Sequence, residues 1–473
     1  MRRHLLASTA AFLLAAPAAW SLEPTQVWIT LVSSIERHGG TVGKVVDDGG
    51  TITANDIVMA YPNGASATIP ALQLAAEGDA VVATMPAPMA YTDGEGTDAT
   101  IDATALAITV SPQASMGFFG PIGVTATGSL VATVTEPGQA ERARTTDIAV
   151  EGLDLVVGAG DGAGGANATL AIATLRVDHT DPLTEDTQNV VGFTQDGIAA
   201  EITATDVVRL LLGDPVAAVA QGTDVSLAIT HGTGTSTSDT PAESATQTWK
   251  AGEASLSIDR SGIAYASRAT GMEIAAILPG LGNATASMPE ARFDGAFPLF
   301  AGDAAQEARL TWSIPEVVLG TPDGMTAIAG VVAEPFALSG DVRAQVRLLE
   351  DLWPASQTAG PVDPDRALLL EGMSLTGVGL SGIGGAITLD GAATFTDTPT
   401  GEPVPTSLAG TAVVEGAGAV FAALETAGLM DAGQRGMVEA MLQAYAAPGA
   451  TDPLSYAIEM APTGGFTING QPM

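Results

Sequence analysis

Thr100-Ile101-Asp102-Ala103, Leu106-Ala107-Ile108-Thr109-Val110, Val124-Thr125-Ala126-Thr127 and Leu130-Val131-Ala132-Thr133-Val134 follow one another in close succession. Each run alternates larger apolar residues with small or polar ones. A period of two sends successive side chains to opposite faces of an extended chain, so each run reads as a half-buried β-strand. The abundance of Val, Ile and Thr agrees, because β-branched side chains pack well on a pleated surface.

The same period extends in both directions, from about residue 41 to about residue 400. Thr51-Ile52-Thr53-Ala54 and Ile57-Val58-Met59 precede the opening stretch. Ala168-Thr169-Leu170-Ala171-Ile172, Ala254-Ser255-Leu256-Ser257-Ile258, Leu310-Thr311-Trp312-Ser313-Ile314 and Ala386-Ile387-Thr388-Leu389 follow it. Gly, Asn, Asp and Pro separate the runs, and Asp196-Gly197, Asp294-Gly295 and Asp390-Gly391 read as tight turns. The expected fold is mainly β: a long antiparallel meander forming a large curved or groove-like sheet, with a short N-terminal helix and a C-terminal helical pair.

The helices lie at the two ends. Pro24 suits a first helical turn, Val27, Trp28, Leu31 and Ile35 share one helical face, and Gly39-Gly40 stops the helix. Near the C-terminus, residues 417–427 and 432–447 read as helices, with Gly428 ending the first and Asp431 capping the second. Their stripes (Val420, Phe421, Leu424; Met437, Val438, Met441, Leu442, Tyr445) are expected to pack into a core. A closing hairpin is expected over 455–460 and 465–469. A helical patch is expected over 204–212, with Val207, Val208, Leu211 and Leu212 as its apolar face. Gly232 to Ser244 and Ala359 to Asp365 read as exposed connections. Trp28, Trp249, Trp312 and Trp353 are expected core residues. Val150-Glu151-Gly152-Leu153-Asp154-Leu155 and Leu370-Glu371-Gly372-Met373-Ser374-Leu375 echo one another and suggest two similar halves.

Residues 1–21 have the three-part layout of a secretory signal peptide: Arg2-Arg3, an apolar run from Leu5 to Ala16, and small residues offering cleavage after Ala18 or Ser21. The division expected is 1–21 signal peptide, 22–235 N-terminal helix and first β-rich half, and 236–473 second β-rich half with the C-terminal helices and closing hairpin. The apolar run is too short to span a bilayer, which takes roughly 20 residues, so no membrane-spanning segment is expected after cleavage. The location expected is the periplasm.

Seventeen Lys and Arg stand against 53 Asp and Glu, a formal net charge of −36. Nucleic-acid binding needs a basic surface that displaces counterions, and this composition excludes it. There is no Cys, which removes disulfides and thiolate metal sites. Catalytic motifs are equally thin. Gly160-Asp161-Gly162-Ala163-Gly164-Gly165 and Gly377-Val378-Gly379-Leu380-Ser381-Gly382 match the dinucleotide fingerprint, yet strand-like sequence follows where a helix is required. His38, His179 and His231 lack metal spacing. Val177-Asp178-His179-Thr180-Asp181 reads as a polar turn. Asp161 lacks the calcium-loop pattern. Asp47-Asp48, Glu36 and Asp363 with Asp365 carry no spacing that selects acid–base chemistry. The reading is therefore no catalytic residue, no cofactor and no metal.

The layout resembles the alphaproteobacterial envelope family DUF2125. A leader is followed by a helix bearing Val27-Trp28, a long acidic β-rich region, terminal helices, and Phe466-Thr467-Ile468-Asn469-Gly470-Gln471-Pro472-Met473. The closing strand is also similar in style to the AsmA-like elongated β-sheet proteins of lipid transport. The resemblance brings no catalytic motif. It implies an exported soluble envelope protein; the long meander, with apolar positions and many small side chains on one face, leads to the expectation of a non-enzymatic β scaffold that binds lipid or another hydrophobic ligand. The alternative expectation is a structural or interaction factor with an envelope protein partner and no small-molecule ligand.

Overall fold

The computed structural model describes residues 22–37, 39–60, 64–93, 95–112, 122–137, 143–159, 165–182, 188–205, 219, 222–240, 243–278, 282–321, 331, 334–352, 367–397, 403–460 and 465–472. The chain divides into two compact units. Unit 1 is Met1–Gly213 with Thr223–Pro241, and unit 2 is Asp214–Gly222 with Ala242–Met473. Both are mainly β, and the strands pair antiparallel throughout the described residues.

Unit 1 opens with helix α1 (Pro24–Arg37). Val27, Trp28 and Ile35 on its inner face are buried against Ile52, Ile57, Leu74, Val81, Val110 and Val124 of the sheet. Fully burying one such aliphatic side chain contributes roughly 1.5–3 kcal/mol, so this cluster anchors the unit. The helix stops where the sequence places Gly. Gly39 takes a left-handed φ of 79°. A Cβ on Gly40 would lie 2.6 Å from Ile35 Cγ2 and 3.0 Å from the Val58 carbonyl oxygen, so only Gly lets the chain turn onto the sheet here.

The strands of unit 1 are β1 (Val45–Asp47), β2 (Thr51–Ala60), β3 (Ser66–Glu77), β4 (Ala80–Thr84), β5 (Met89–Thr92), β6 (Asp98–Asp102), β7 (Leu106–Pro112), β8 (Ile122–Pro137), β9 (Ala143–Ala159), β10 (Ala166–Pro182), β11 (Gln188–Ala204), β12 (Val225–His231) and β13 (Gly234–Asp239). They form a meander in which some rows are broken in two. Strands β4 and β5 share the row opposite β3, β6 and β7 the row opposite β8, and β12 and β13 the row opposite β11. The breaks align with irregularities in the long strands. Gly128 (φ 136°), Gly152 (φ 62°) and Gly197 (φ 59°) fall where the ladders skip a pair. An extra residue in one strand bends it and increases its twist.

Unit 2 contains β14 (Ser244–Trp249), β15 (Ala251–Asp259), β16 (Gly262–Leu278), β17 (Gly282–Phe297), β18 (Gln306–Leu319), β19 (Phe336–Leu348), β20 (Leu368–Gly382), β21 (Gly385–Asp397) and β22 (Pro403–Glu415). Helices α2 (Ala417–Thr426) and α3 (Ala432–Tyr445) follow, then β23 (Leu454–Met460), β24 (Phe466–Ile468) and β25 (Gln471–Pro472). Strands β14 and β15 share the row opposite β16, and each strand from β16 to β23 pairs with the next. Helix α3 begins with a capping box: Asp431 accepts from the Gln434 amide while the Gln434 side chain accepts from the Asp431 amide. Below it, Ala446, Leu454 and Tyr456 form a small buried cluster with Leu442 packed against it.

Several expectations need correction. Gly232 to Ser244 is not one exposed loop: β13 occupies Gly234–Asp239, and Ser244 opens β14. Its Ser/Thr-rich composition hid the alternation, because the residues on both faces there are polar. Asp196-Gly197, Asp294-Gly295 and Asp390-Gly391 lie inside β11, β17 and β21 rather than in turns. Asp196 accepts from the Thr174 and Thr233 hydroxyls, and Asp390 from the Gly377 amide, so these two carboxylates serve strand irregularities. His179 lies within β10, not in a turn. Of the four tryptophans expected in the core, Trp28 is buried, while Trp249 and Trp312 are half-buried on a sheet. Trp353, the signal segment, the apolar residues of the 204–212 patch and the 359–365 connection lie outside the described residues. The two echoed motifs fall in β9 and β20, each beside a ladder irregularity.

Candidate functional site

Alternation assigns the two sheet faces of unit 2 opposite chemistry. In register across successive strands, Tyr265 faces Gly295, Gly295 faces Leu310, Leu310 faces Val342, and Val342 faces Leu375. The neighbouring row runs Phe293, Trp312, Gly340. A Cβ on Gly340 would sit 2.4 Å from Trp312 Cζ2, so the indole lies across the bare glycine backbone. Farther along, Leu338, Leu380 and Ile387 are paired in turn. Among the described residues, no second layer closes over these side chains. Leu310 is 50% exposed, Tyr265 and Ile387 are each 46%, and Phe293 is 41%. Ile263, Tyr265, Gly295, Phe297, Leu310 and Val342 help line a depression of about 330 Å³ on this face.

The reverse face carries the charge. Arg268 pairs with Glu290 at 3.1 Å, and Arg292 contacts the same carboxylate. Arg343 pairs with Asp341 at 2.9 Å, with Arg309 at 3.8 Å from the same acid. Hydrogen bonds from Arg268 and then Arg292 hold the Glu290 carboxyl below its ordinary value, and Arg343 does the same for Asp341. These ion pairs are solvent-screened and lie on the side away from the apolar rows; Arg268–Glu290 and Arg309–Asp341 join neighbouring strands, while the other two lie within β17 and β19.

Unit 1 repeats the division. Leu153, Leu155 and Val157 of β9 share a face with Leu170, Ile172, Leu175 and Val177 of β10, and with Phe193 and Ile198 of β11. All are half-buried. The opposite face carries Thr174, Arg176 and Asp178. One end of the apolar face is polar. Arg144 Nε donates to Asp181 Oδ1 at 3.0 Å, and Thr146 Oγ1 and His179 Nδ1 share a hydrogen bond of 2.9 Å. The register places Glu136 opposite Arg144 and Ser238 opposite Val191, the neighbour of His179.

Sequence reasoning singled out His179 in one stretch with Asp181 and missed Arg144 and Thr146. Strand parity would have put them together once the irregularity at Glu151-Gly152 was known. The other singled-out groups do not converge. His231 turns its Nδ1 to the Gly232 carbonyl at 3.1 Å. Asp47 and Asp48 accept backbone amides of their own turn. Gly377 and Gly382 sit in β20 with strand β21 following, so no helix N-terminus meets that fingerprint. His38, Asp161, Asp363 and Asp365 lie outside the described residues. Among the described residues, no group of three or more His, Asp or Glu is placed to hold a metal ion, and no helix is long and apolar enough to cross a membrane. No family model, no curated protein and no solved structure matches this chain.

Proposed function

We propose that this protein is an exported, non-enzymatic β scaffold of the cell envelope that binds lipid or another hydrophobic ligand on its apolar sheet faces. The supporting observation is the uncovered row of Tyr265, Phe293, Leu310, Leu338, Leu380 and Ile387 in unit 2, each at least 36% exposed. A contiguous exposed apolar surface of this kind marks an interaction site, because water contact there is costly. A hydrocarbon chain fits this row because, the Tyr265 hydroxyl apart, its side chains carry no hydrogen-bonding group. The leader-like residues 1–21 and the resemblance to the DUF2125 envelope family support export to the periplasm.

The test is native purification of the full chain followed by mass spectrometry of a solvent extract, beside a Leu310→Glu variant. Leu310 is half exposed, so the substitution leaves folding unchanged while placing a carboxylate in the path of a hydrocarbon chain. Copurified lipid in the wild type and its loss in the variant are expected. A clean wild-type extract would sink the proposal.

A second reading rests on helix α3. Met437, Met441 and Tyr445 recur every four residues, and Met437 and Met441 are 60% and 61% exposed. Such a stripe suits an envelope protein partner, since flexible Met side chains adapt to varied surfaces. Crosslinking that captures one partner in the wild type and fails in a Met437→Glu/Met441→Glu variant would favour it.

A further inference from the structure

Resting on the reading of the apolar faces as ligand sites, we propose that the depression over Gly295 in unit 2 is a seat for the flat aromatic ring system of an uncharged hydrophobic ligand. The glycine itself is the first observation. Gly295 lies inside β17, and the ladders run past it in regular register, with Tyr265 on one side and Leu310 on the other. Its backbone is not left-handed. Among the described residues, a Cβ there would meet only the Arg309 carbonyl oxygen at 3.6 Å and Leu310 Cδ1 at 4.0 Å, both ordinary contacts. Gly340 on the same face is different, because the Trp312 indole occupies the place of its side chain. The fold therefore requires glycine at 340 and not at 295. A glycine inside a strand weakens it, and where neither a bulge nor a crowding backbone accounts for it, the close approach of a ligand does.

Size and lining select the class of ligand. The depression of about 330 Å³ is walled by Ile263, Tyr265, Phe297, Leu310 and Val342. An apolar cavity of about 150 Å³ takes one benzene ring, so this volume suits two fused rings. Tyr265 and Leu310 stand one strand to either side of Gly295, their backbones about 10 Å apart. Carbon contacts of about 3.5–4.0 Å on each flank admit one layer of atoms between them and not two. A flat ring is one layer, and its faces and edges suit the rings of Tyr265 and Phe297. A flexible chain also makes one layer, but it gives up torsional freedom that a rigid ring never had. Alternation turns Asp294, Asp341 and Arg343 to the reverse face, and Arg309 Nε donates there to Thr311 Oγ1 at 2.9 Å. Among the described residues, the depression thus offers no counter-charge to an ionised ligand, whose burial would be costly.

The experiment measures binding of the full chain, by equilibrium dialysis at neutral pH, to three uncharged alcohols of similar water-to-octanol partition. These are 2-naphthol (flat rings), 2-decalol (puckered rings) and 1-heptanol (a flexible chain). Similar partition removes bulk hydrophobicity as the cause of any difference. The flat ligand is expected to bind about tenfold more tightly than either of the others. A Gly295→Leu variant fills the depression with a side chain the backbone accepts. Checked for native circular dichroism, it should lose the preference for 2-naphthol and keep its binding of 1-heptanol on the rest of the apolar face. Equal or tighter binding of 1-heptanol or 2-decalol to the wild type overturns the inference, and that comparison requires no variant. A preference for 2-naphthol that survives in Gly295→Leu overturns it too, because the ring then sits elsewhere. In either case binding of 1-heptanol leaves the ligand-scaffold reading standing, whereas binding of none of the three overturns that reading itself.

Discussion

Single glycines in this protein mark places where backbones meet. Gly262 closes the turn from β15 to β16 with φ at 132°, and a Cβ there would lie 2.2 Å from the Phe297 carbonyl oxygen. No side-chain rotation relieves a clash with backbone, and an L-residue pays strain at that φ. Gly262→Ala is expected to destabilise the protein by about 1–3 kcal/mol, read as a lower denaturant midpoint. Gly64, by contrast, has a positive φ with nothing within 4 Å of a new Cβ. Its alanine variant should retain the φ strain but show no clash, and so a smaller shift. These roles were only partly legible beforehand. Gly39-Gly40 could be read as a helix stop because a periodic helix precedes it. Gly197 and Gly391 looked like turn residues, since Asp-Gly is also what a sharp bend within a strand uses.

Among the elements, α1 and α3 differ in what holds them. Helix α1 is fixed by its buried face on the sheet, so the core beneath it carries the stability. Leu74 is 1% exposed in that cluster, and Leu74→Ala is expected to cost about 2–5 kcal/mol through lost burial and the cavity left behind. Helix α3 buries none of its described residues and depends more on local bonds. Asp431→Ala removes the acceptor for the Gln434 amide, 2.8 Å away, and should cost about 1 kcal/mol. Hydrogen exchange should report that loss first in the initial turn of α3, whereas the Leu74 variant should lower global stability. Helix periodicity and caps revealed both helices in advance. The exposure of Met437 and Met441 was not visible, because an apolar stripe looks the same whether or not a neighbouring layer covers it.

For the molecule as a whole, acid is the informative variable. Glu290 is held below its ordinary value of 4.5 and Asp341 below 3.8 by the arginines beside them. A carboxyl with a depressed folded value contributes stability that is present above its unfolded value and lost as pH falls through the folded one. The share of thermal stability that these two ion pairs contribute should therefore be constant from neutral pH down to about 5 and be lost below about 4.5 as the carboxylates are protonated. A Glu290→Gln variant should start lower at neutral pH and show a shallower acid loss. An unchanged acid slope would show that the arginine ladder is stabilised by other groups.

The amino-acid pattern alone determined the mainly antiparallel β character, the terminal helices and the acidity, because period and composition are local quantities that survive without tertiary information. It also placed Leu310, Trp312 and Ile314 on one strand face. Tertiary structure alone decided that Leu310 and its neighbours on that face stay exposed, that the arginines gather on the reverse, and that Arg144, Thr146, His179 and Asp181 meet at one end of the unit 1 strip. Those outcomes depend on register. A single unpaired residue reverses which side chains share a face, and an irregularity such as that at Gly152 is invisible until the neighbouring strand is known.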